Sequence, residues 1–93
     1  MTRLSDAEID ERLATHSGWK REGDAIAKTF RFGSFKDAVA YVDRLAPLCD
    51  AADHHPDILI RFRRVTLTYS THSEGGLTEK DFRGAAEADR LAS

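Results

Sequence analysis

Ile58-Leu59-Ile60-Arg61-Phe62-Arg63-Arg64-Val65-Thr66-Leu67-Thr68-Tyr69 is the stretch on which the fold turns. Ile58, Ile60 and Phe62 alternate with charged or differently facing neighbours, and Val65, Leu67 and Tyr69 alternate after them. Alternation with a period of two marks half-buried strands, so the segment reads as a β-hairpin across Arg63-Arg64. That turn has no Gly or Asn, so a local irregularity or extra loop residues are expected there instead of a tight two-residue turn. A second hairpin lies upstream, where Trp19 to Glu22 and Ala25 to Phe32 flank Gly23-Asp24, a pair suited to a tight turn. Ile26, Phe30 and Phe32 share one face of it.

Helices bracket both hairpins. Ser5 with Glu8, Ser34 with Asp37, and Thr78 with Asp81 each place an acid three residues after a hydroxyl, the pattern that satisfies orphan N–H groups at a helix start. Leu4 can reach Ile9 and Leu77 can reach Phe82 as hydrophobic staples. Between the hairpins, Phe35, Ala38, Val39, Val42, Leu45 and Ala46 recur at helical spacing and form one stripe. Pro47 falls inside that run, where it removes a backbone hydrogen bond; either a kink near Asp43 to Pro47 or an end and restart of the helix follows. The order α-β-β-α-β-β-α, with one-sided patterning in the strands, predicts a two-layer α+β domain. Its four-stranded antiparallel sheet carries the helices on one face.

Length and charge narrow the function. The 93 residues make one domain over residues 1–93. A domain of this size buries only roughly two thirds of its unfolded surface, and oligomer formation would remedy so small a core. With 41% hydrophobic and 32% charged residues the chain is globular. A net charge of −2 supplies no field for polyanions, so no nucleic-acid partner is expected. No apolar run is long enough to span a membrane. The single cysteine, Cys49, cannot form an internal disulfide, and the N-terminus lacks an apolar run of signal-peptide length; a cytoplasmic setting follows.

The chemistry-bearing stretch is Asp50-Ala51-Ala52-Asp53-His54-His55-Pro56. Pro56 pushes His55 out of the α region, so the helix ends near Asp53 or His54 and both imidazoles project at a helix-to-strand junction. Asp50 and Asp53 occupy a last helical turn, which disfavours negative charge; a neighbouring protonated imidazole would offset this, and Asp50 could meet His54 four residues on. His72 follows the last strand in Ser70-Thr71-His72-Ser73. Alternation places Thr66, Thr68, Ser70 and His72 on a polar face opposite Val65, Leu67 and Tyr69. Because Pro56 opens one strand and His72 closes its antiparallel partner, His54, His55 and His72 are expected to converge. His16 reads as a solvated side chain, Asp81 as the partner of the Thr78 cap, and Arg61, Arg63 and Arg64 as charges guarding a strand edge. Three imidazoles and a carboxylate are also suitable ligands for zinc or iron. However, adjacent histidines before a proline project divergently and no helical pair of histidines at i and i+4 is present, so acid–base work without a metal is the preferred reading.

These residues resemble the pterin-4a-carbinolamine dehydratases, also called 4a-hydroxytetrahydrobiopterin dehydratases. The family pattern runs through Asp50, His54-His55-Pro56, Phe62, His72 and Asp81 with every spacing met, and the likeness extends through Gly18-Trp19, Phe30 to Phe35 and Gly75 to Thr78. The resemblance implies loss of water from a 4a-hydroxytetrahydropterin to give quinonoid dihydropterin, a cofactor-recycling step that needs no metal or other cofactor. Carried over by position, His54 and His72 are the acid–base histidines, and His55 chiefly binds substrate. Asp53 and Ser70, Thr71, His72 and Ser73 line the pterin, while Asp50, with Pro56 and Asp81, supports a histidine. Family members associate into dimers or tetramers through the middle helix, where they usually lack a proline such as Pro47; Phe62 stands for a commoner tyrosine. Animal relatives also serve as dimerization cofactors of a homeodomain transcription factor, so a noncatalytic binding module is the alternative role.

Overall fold

The structure, a computed structural model, describes residues 2–93. Its elements are α1 (Asp6–Leu13), β1 (Lys20–Glu22), β2 (Ala25–Arg31), α2 (Phe35–Ala52), β3 (Asp57–Arg61), β4 (Arg64–Tyr69) and α3 (Glu79–Ala92). The four strands form an antiparallel sheet in the order β1-β2-β4-β3. Both hairpins exist, and the pairing of β2 with β4 brings them side by side, Ile26 opposite Tyr69 and Phe30 opposite Val65. Paired residues share a face, so Ile26, Phe30, Val65, Leu67 and Tyr69 build one apolar surface, on which the helices pack. Thr29 and Thr66 lie on the other face, their hydroxyls 2.8 Å apart. The domain is thus the two-layer α+β arrangement that the strand patterning predicts.

All three helix starts are capped as read. Ser5 with Glu8 and Thr78 with Asp81 form complete capping boxes, and the Ser34 hydroxyl accepts from the Asp37 N–H at 3.0 Å. Two details differ. The second hairpin turns at Phe62-Arg63, with Arg61 paired to Arg64, so it is a two-residue turn displaced by one position from Arg63-Arg64. Phe62 takes φ 54° at its first central position, a positive value that a non-glycine residue adopts only at a steric cost, and its ring is exposed instead of continuing the β3 face. The other hairpin meets the same demand with Gly23 at φ 61°, at no steric cost.

The buried face of α2 consists of Ala38, Tyr41, Leu45 and Cys49. Phe35 and Ala46 lie outside it, and Val39 and Val42 sit half-buried at its margin, so the stripe is rotated from the one read in the sequence. Tyr41 replaces Phe35 as the large core side chain because its ring packs on Phe30 and Phe32 while its hydroxyl donates to the Ala88 carbonyl at 2.7 Å. The helix is continuous across Pro47, so the end-and-restart alternative does not occur. Pro47 and Asp43 are both exposed, and water can reach the carbonyl that the missing N–H leaves free. Opposite, α3 is tied to the first hairpin through Asp89, which accepts from Trp19 Nε1 at 3.0 Å and Lys28 Nζ at 2.7 Å.

Candidate active site

The junction after α2 is set by one backbone angle. Asp53 caps the helix in the left-handed region at φ 51°, which reverses the chain and sends His54 and His55 to opposite sides. His54 turns inward. Its Nε2 lies 2.6 Å from Asp81 Oδ1, its ring stacks on Tyr69 at 5.8 Å, and its side chain is only 12% exposed. An ionised carboxylate can only accept, so Nε2 carries the proton and Nδ1 is the nitrogen left for exchange.

Asp81 is the hub of this wall. It is fully buried and accepts three bonds: from His54, from the Thr71 hydroxyl at 2.8 Å and from the Thr78 N–H at 3.0 Å. It therefore completes the cap of α3 and orients His54 at once, a double role that its capping-box reading covers only in part.

His55 turns outward. It pairs with Asp50 at 2.8 Å in an exposed contact, so Asp50 holds His55 and not His54. The physical reason is the left-handed residue Asp53: the α2 turn does not continue to position 54, and the i, i+4 meeting is lost. His55, Asp57, Thr68, Ser70 and His72 line an open cleft of about 250 Å³ together with Asp24 and Ala25 of the first hairpin. Among the described residues, the His72 imidazole has no hydrogen-bonded partner, so both its nitrogens are available.

His55 and His72 thus meet in the cleft, with Ser70 between them and the hairpin turn through its 2.7 Å bond to the Asp24 carbonyl. His54 does not line that cleft; it borders a separate cavity of about 220 Å³ between α2 and α3, with Leu45, Leu48, Cys49 and Tyr69. Thr71 is buried and turned toward Asp81 and Thr78, while Asp53 and Ser73 are exposed and border neither space. Pro56 immediately precedes β3 in a half-buried position. Asp24, Ala25 and Asp57 were not visible as site residues. The Gly23-Asp24 turn was legible, but only the β2–β4 pairing places it beside Ser70. Among the described residues no group of three or more His, Cys, Asp or Glu side chains is gathered as a metal site.

A small α+β domain with paired imidazoles at the mouth of its second hairpin is the class that fold and site define. The sequence profile of the family described as pterin 4 alpha carbinolamine dehydratase matches residues 2–91, and the chain belongs to that family. A provisionally named pterin-4-alpha-carbinolamine dehydratase of Roseiflexus sp. (strain RS-1) is 56% identical over 90 residues, 97% of either chain. One of Chloroflexus aurantiacus, named in the same way, is 52% identical over 91 residues, 98% of either chain. Among solved structures, a transcriptional coactivator/pterin dehydratase from Brucella melitensis superposes with a TM-score of 0.94 at 33% identity, covering 99% of this chain and 100% of that one. A pterin dehydratase-like protein identified as a RuBisCO assembly factor in the alpha-carboxysome superposes with a TM-score of 0.71 at 30% identity, over 84% of this chain and 94% of its own.

Proposed function

We propose that this single-domain protein dehydrates 4a-hydroxytetrahydrobiopterin, or a close pterin relative, to quinonoid dihydropterin by histidine acid–base catalysis, recycling the tetrahydropterin cofactor. The hydroxyl on C4a accepts a proton and leaves as water. N5 loses its proton, and the electron pair of that N–H bond becomes the C4a=N5 double bond of the product. Both transfers suit imidazoles, which exchange protons near neutral pH, and each is worth about 10²- to 10⁴-fold in rate.

The observation that carries the reading is the meeting of His55 and His72 in one cleft, with His54, held by Asp81, at the separate cavity between α2 and α3. His72, bonded at neither nitrogen among the described residues, suits either transfer. His54 and His55 each have one nitrogen committed to a carboxylate and one left. Asp53, Thr71 and Ser73 are then shaping residues of the two flanking turns, with pterin contact falling to His55, Ser70 and His72.

Stopped-flow decay of 4a-hydroxytetrahydropterin tests this: the protein accelerates it, and His54→Ala and His72→Ala each lower the catalysed rate by about 10²-fold or more. Decay unchanged by folded protein would refute it.

A second role, as a self-associating or protein-binding module, draws on Phe35, Ile58, Leu59 and Phe62, which are 54%, 41%, 53% and 70% exposed. Three of these lie on β3 or its turn at the sheet edge, and Phe35 opens α2; together they suit a homodimer or homotetramer. Sedimentation should show a concentration-dependent oligomer that Leu59→Lys weakens, and a monomer at all concentrations would remove this role. The buried, unpaired Cys49 fits a reducing, cytoplasmic setting.

A further inference from the structure

The cleft does not end at Asp24. The same residue also borders a second, polar cavity of about 360 Å³, walled by Arg3, Ser5, Asp6, Arg21 and Gly76. By contrast, the α2–α3 cavity shares no lining residue with the cleft. Asp24 is thus the partition between the histidines and a space that the chemistry above leaves unused.

The reacting edge of the substrate says what enters that space. In a 4a-hydroxytetrahydropterin the hydroxyl leaves from C4a, the proton from N5, and N5 is bonded directly to C6. A ring held with C4a and N5 against His55 and His72 therefore runs its C6 side chain along the same edge, and with C6 turned toward Asp24 that side chain enters the adjoining cavity. We propose that this cavity is a specificity subsite for a hydroxylated C6 side chain, with Arg3 as its principal reader. This rests on the dehydratase reading and names the substrate feature that the same site selects.

Charge and hydrogen-bond inventory support a neutral polyol over an anion. Arg3 and Arg21 stand against Asp6 and Asp24, so the walls sum to no net charge while offering both donors and acceptors. A hydroxyl uses both, since it donates and accepts at once. Arg21 is held in place, its Nε donating to the Gly23 carbonyl at 2.9 Å and a terminal nitrogen to Asp6 at 2.8 Å. Arg3 makes only a 3.5 Å contact to the Gly75 carbonyl, at the limit of a hydrogen bond, so most of its five donors are uncommitted.

Arg3 is nonetheless positioned. Its stem lies on Gly76, where a Cβ would fall 2.6 Å from Arg3 Cδ, and the neighbouring Leu4 N–H donates to the Leu77 carbonyl at 2.8 Å. A side chain at 76 would push the arginine out of this position.

The test compares kcat/KM for two carbinolamines, one with a dihydroxypropyl and one with a methyl group at C6. The expected preference for the hydroxylated substrate is about 10- to 100-fold, the range of one charge-assisted hydrogen bond. Arg3→Ala should bring that ratio toward one, and Gly76→Ala should do the same by displacing the arginine. Because the ratio is taken within one protein sample, partial unfolding does not alter it. A wild-type ratio near one, or a ratio that Arg3→Ala leaves unchanged, would overturn the subsite. Calorimetric binding of the corresponding stable dihydropterins separates the two ideas. Turnover of neither carbinolamine, with an Arg3-dependent preference retained in binding, would overturn the dehydratase reading and uphold the subsite.

Discussion

Replacing Asp81 should damage fold and activity together, by an amount that follows from its three bonds. Asp81→Ala leaves the Thr78 N–H, the Thr71 hydroxyl and His54 Nε2 without their acceptor. The Thr71 hydroxyl can turn to Thr78 Oγ1, 2.8 Å away, and recover a partner. The Thr78 N–H is fully buried and cannot, at a cost of about 1–3 kcal/mol; His54 can still reach water from its 12% exposed side chain, so its share falls at the low end of the same range. The sum is about 3 kcal/mol, a large part of the roughly 5–15 kcal/mol that holds a domain together. At about 4–8 °C per kcal/mol for a domain this small, the melting temperature should fall by about 12–24 °C. Asp81→Asn keeps the volume and one acceptor but turns an amide N–H₂ toward a donor, so about half that loss is expected. Urea unfolding followed by circular dichroism measures both. Stopped-flow decay of the carbinolamine under native conditions should show the Asn variant slowed by about 10-fold or more, because the His54 tautomer is no longer held by a charge. An Asp81→Ala protein within 1 kcal/mol of wild type, with its rate intact, would refute the hub.

Tyr41 and Tyr69 are the only tyrosines, both buried, and burial above all holds their phenols well above the usual range. The unfolded chain therefore ionises first: the stability they contribute is complete below about pH 10 and is lost above it, by about 1.4 kcal/mol per pH unit for each tyrosine. Phenolate absorbance should rise only together with alkaline unfolding; a rise at the free-tyrosine midpoint with native circular dichroism would contradict this. Burial likewise raises the Cys49 thiol, so native protein should react with iodoacetamide far more slowly than urea-unfolded protein at pH 8, and equal rates would count against the buried placement. Phe62→Gly relieves a left-handed non-glycine residue and sacrifices little packing, so dilute protein should gain about 1 kcal/mol in urea unfolding; a loss would mean that the ring is buried in an assembly.

What could be read in the sequence is what local chemistry decides. A hydroxyl followed by an acid three residues on starts a helix whatever lies around it, and all three such starts are capped. Strand alternation likewise reports a buried face directly. What could not be read depends on backbone states that carry no side-chain signature. Nothing in Asp53 announces φ 51°, yet that angle parts His54 from His55 and hands Asp50 to the second imidazole. Alternation puts Thr71 on the buried face of Tyr69, but nothing in the sequence shows that the chain leaves β4 at Tyr69 and bridges Thr71 to Gly76, with the Thr71 hydroxyl donating to Asp81. Tyr41 is passed over by a stripe read through Phe35, Ala38, Val39 and Val42, because its hydroxyl needs an acceptor that only the docked α3 supplies.

The two acid partners of the paired histidines lie at opposite extremes of burial, and this divides their duties. Asp81 is sealed in and bound by three donors, so it fixes where the His54 ring lies and which nitrogen bears the proton. Asp50, with 79% of its side chain exposed, can anchor His55 only weakly, because an exposed pair of this kind is worth at most about 1 kcal/mol. His55 therefore keeps the freedom to adjust to a bound ring, while His54 cannot move without giving up its 2.6 Å bond to the buried Asp81. A chain of 93 residues has few side chains to spare for holding a site rigid, and it concentrates that rigidity where a helix cap already required a buried carboxylate. The imidazoles facing the cleft are left comparatively free, which suits the proposed dehydration, in which a pterin enters through an open mouth and leaves, one water lighter, as a flatter ring with a new C4a=N5 double bond.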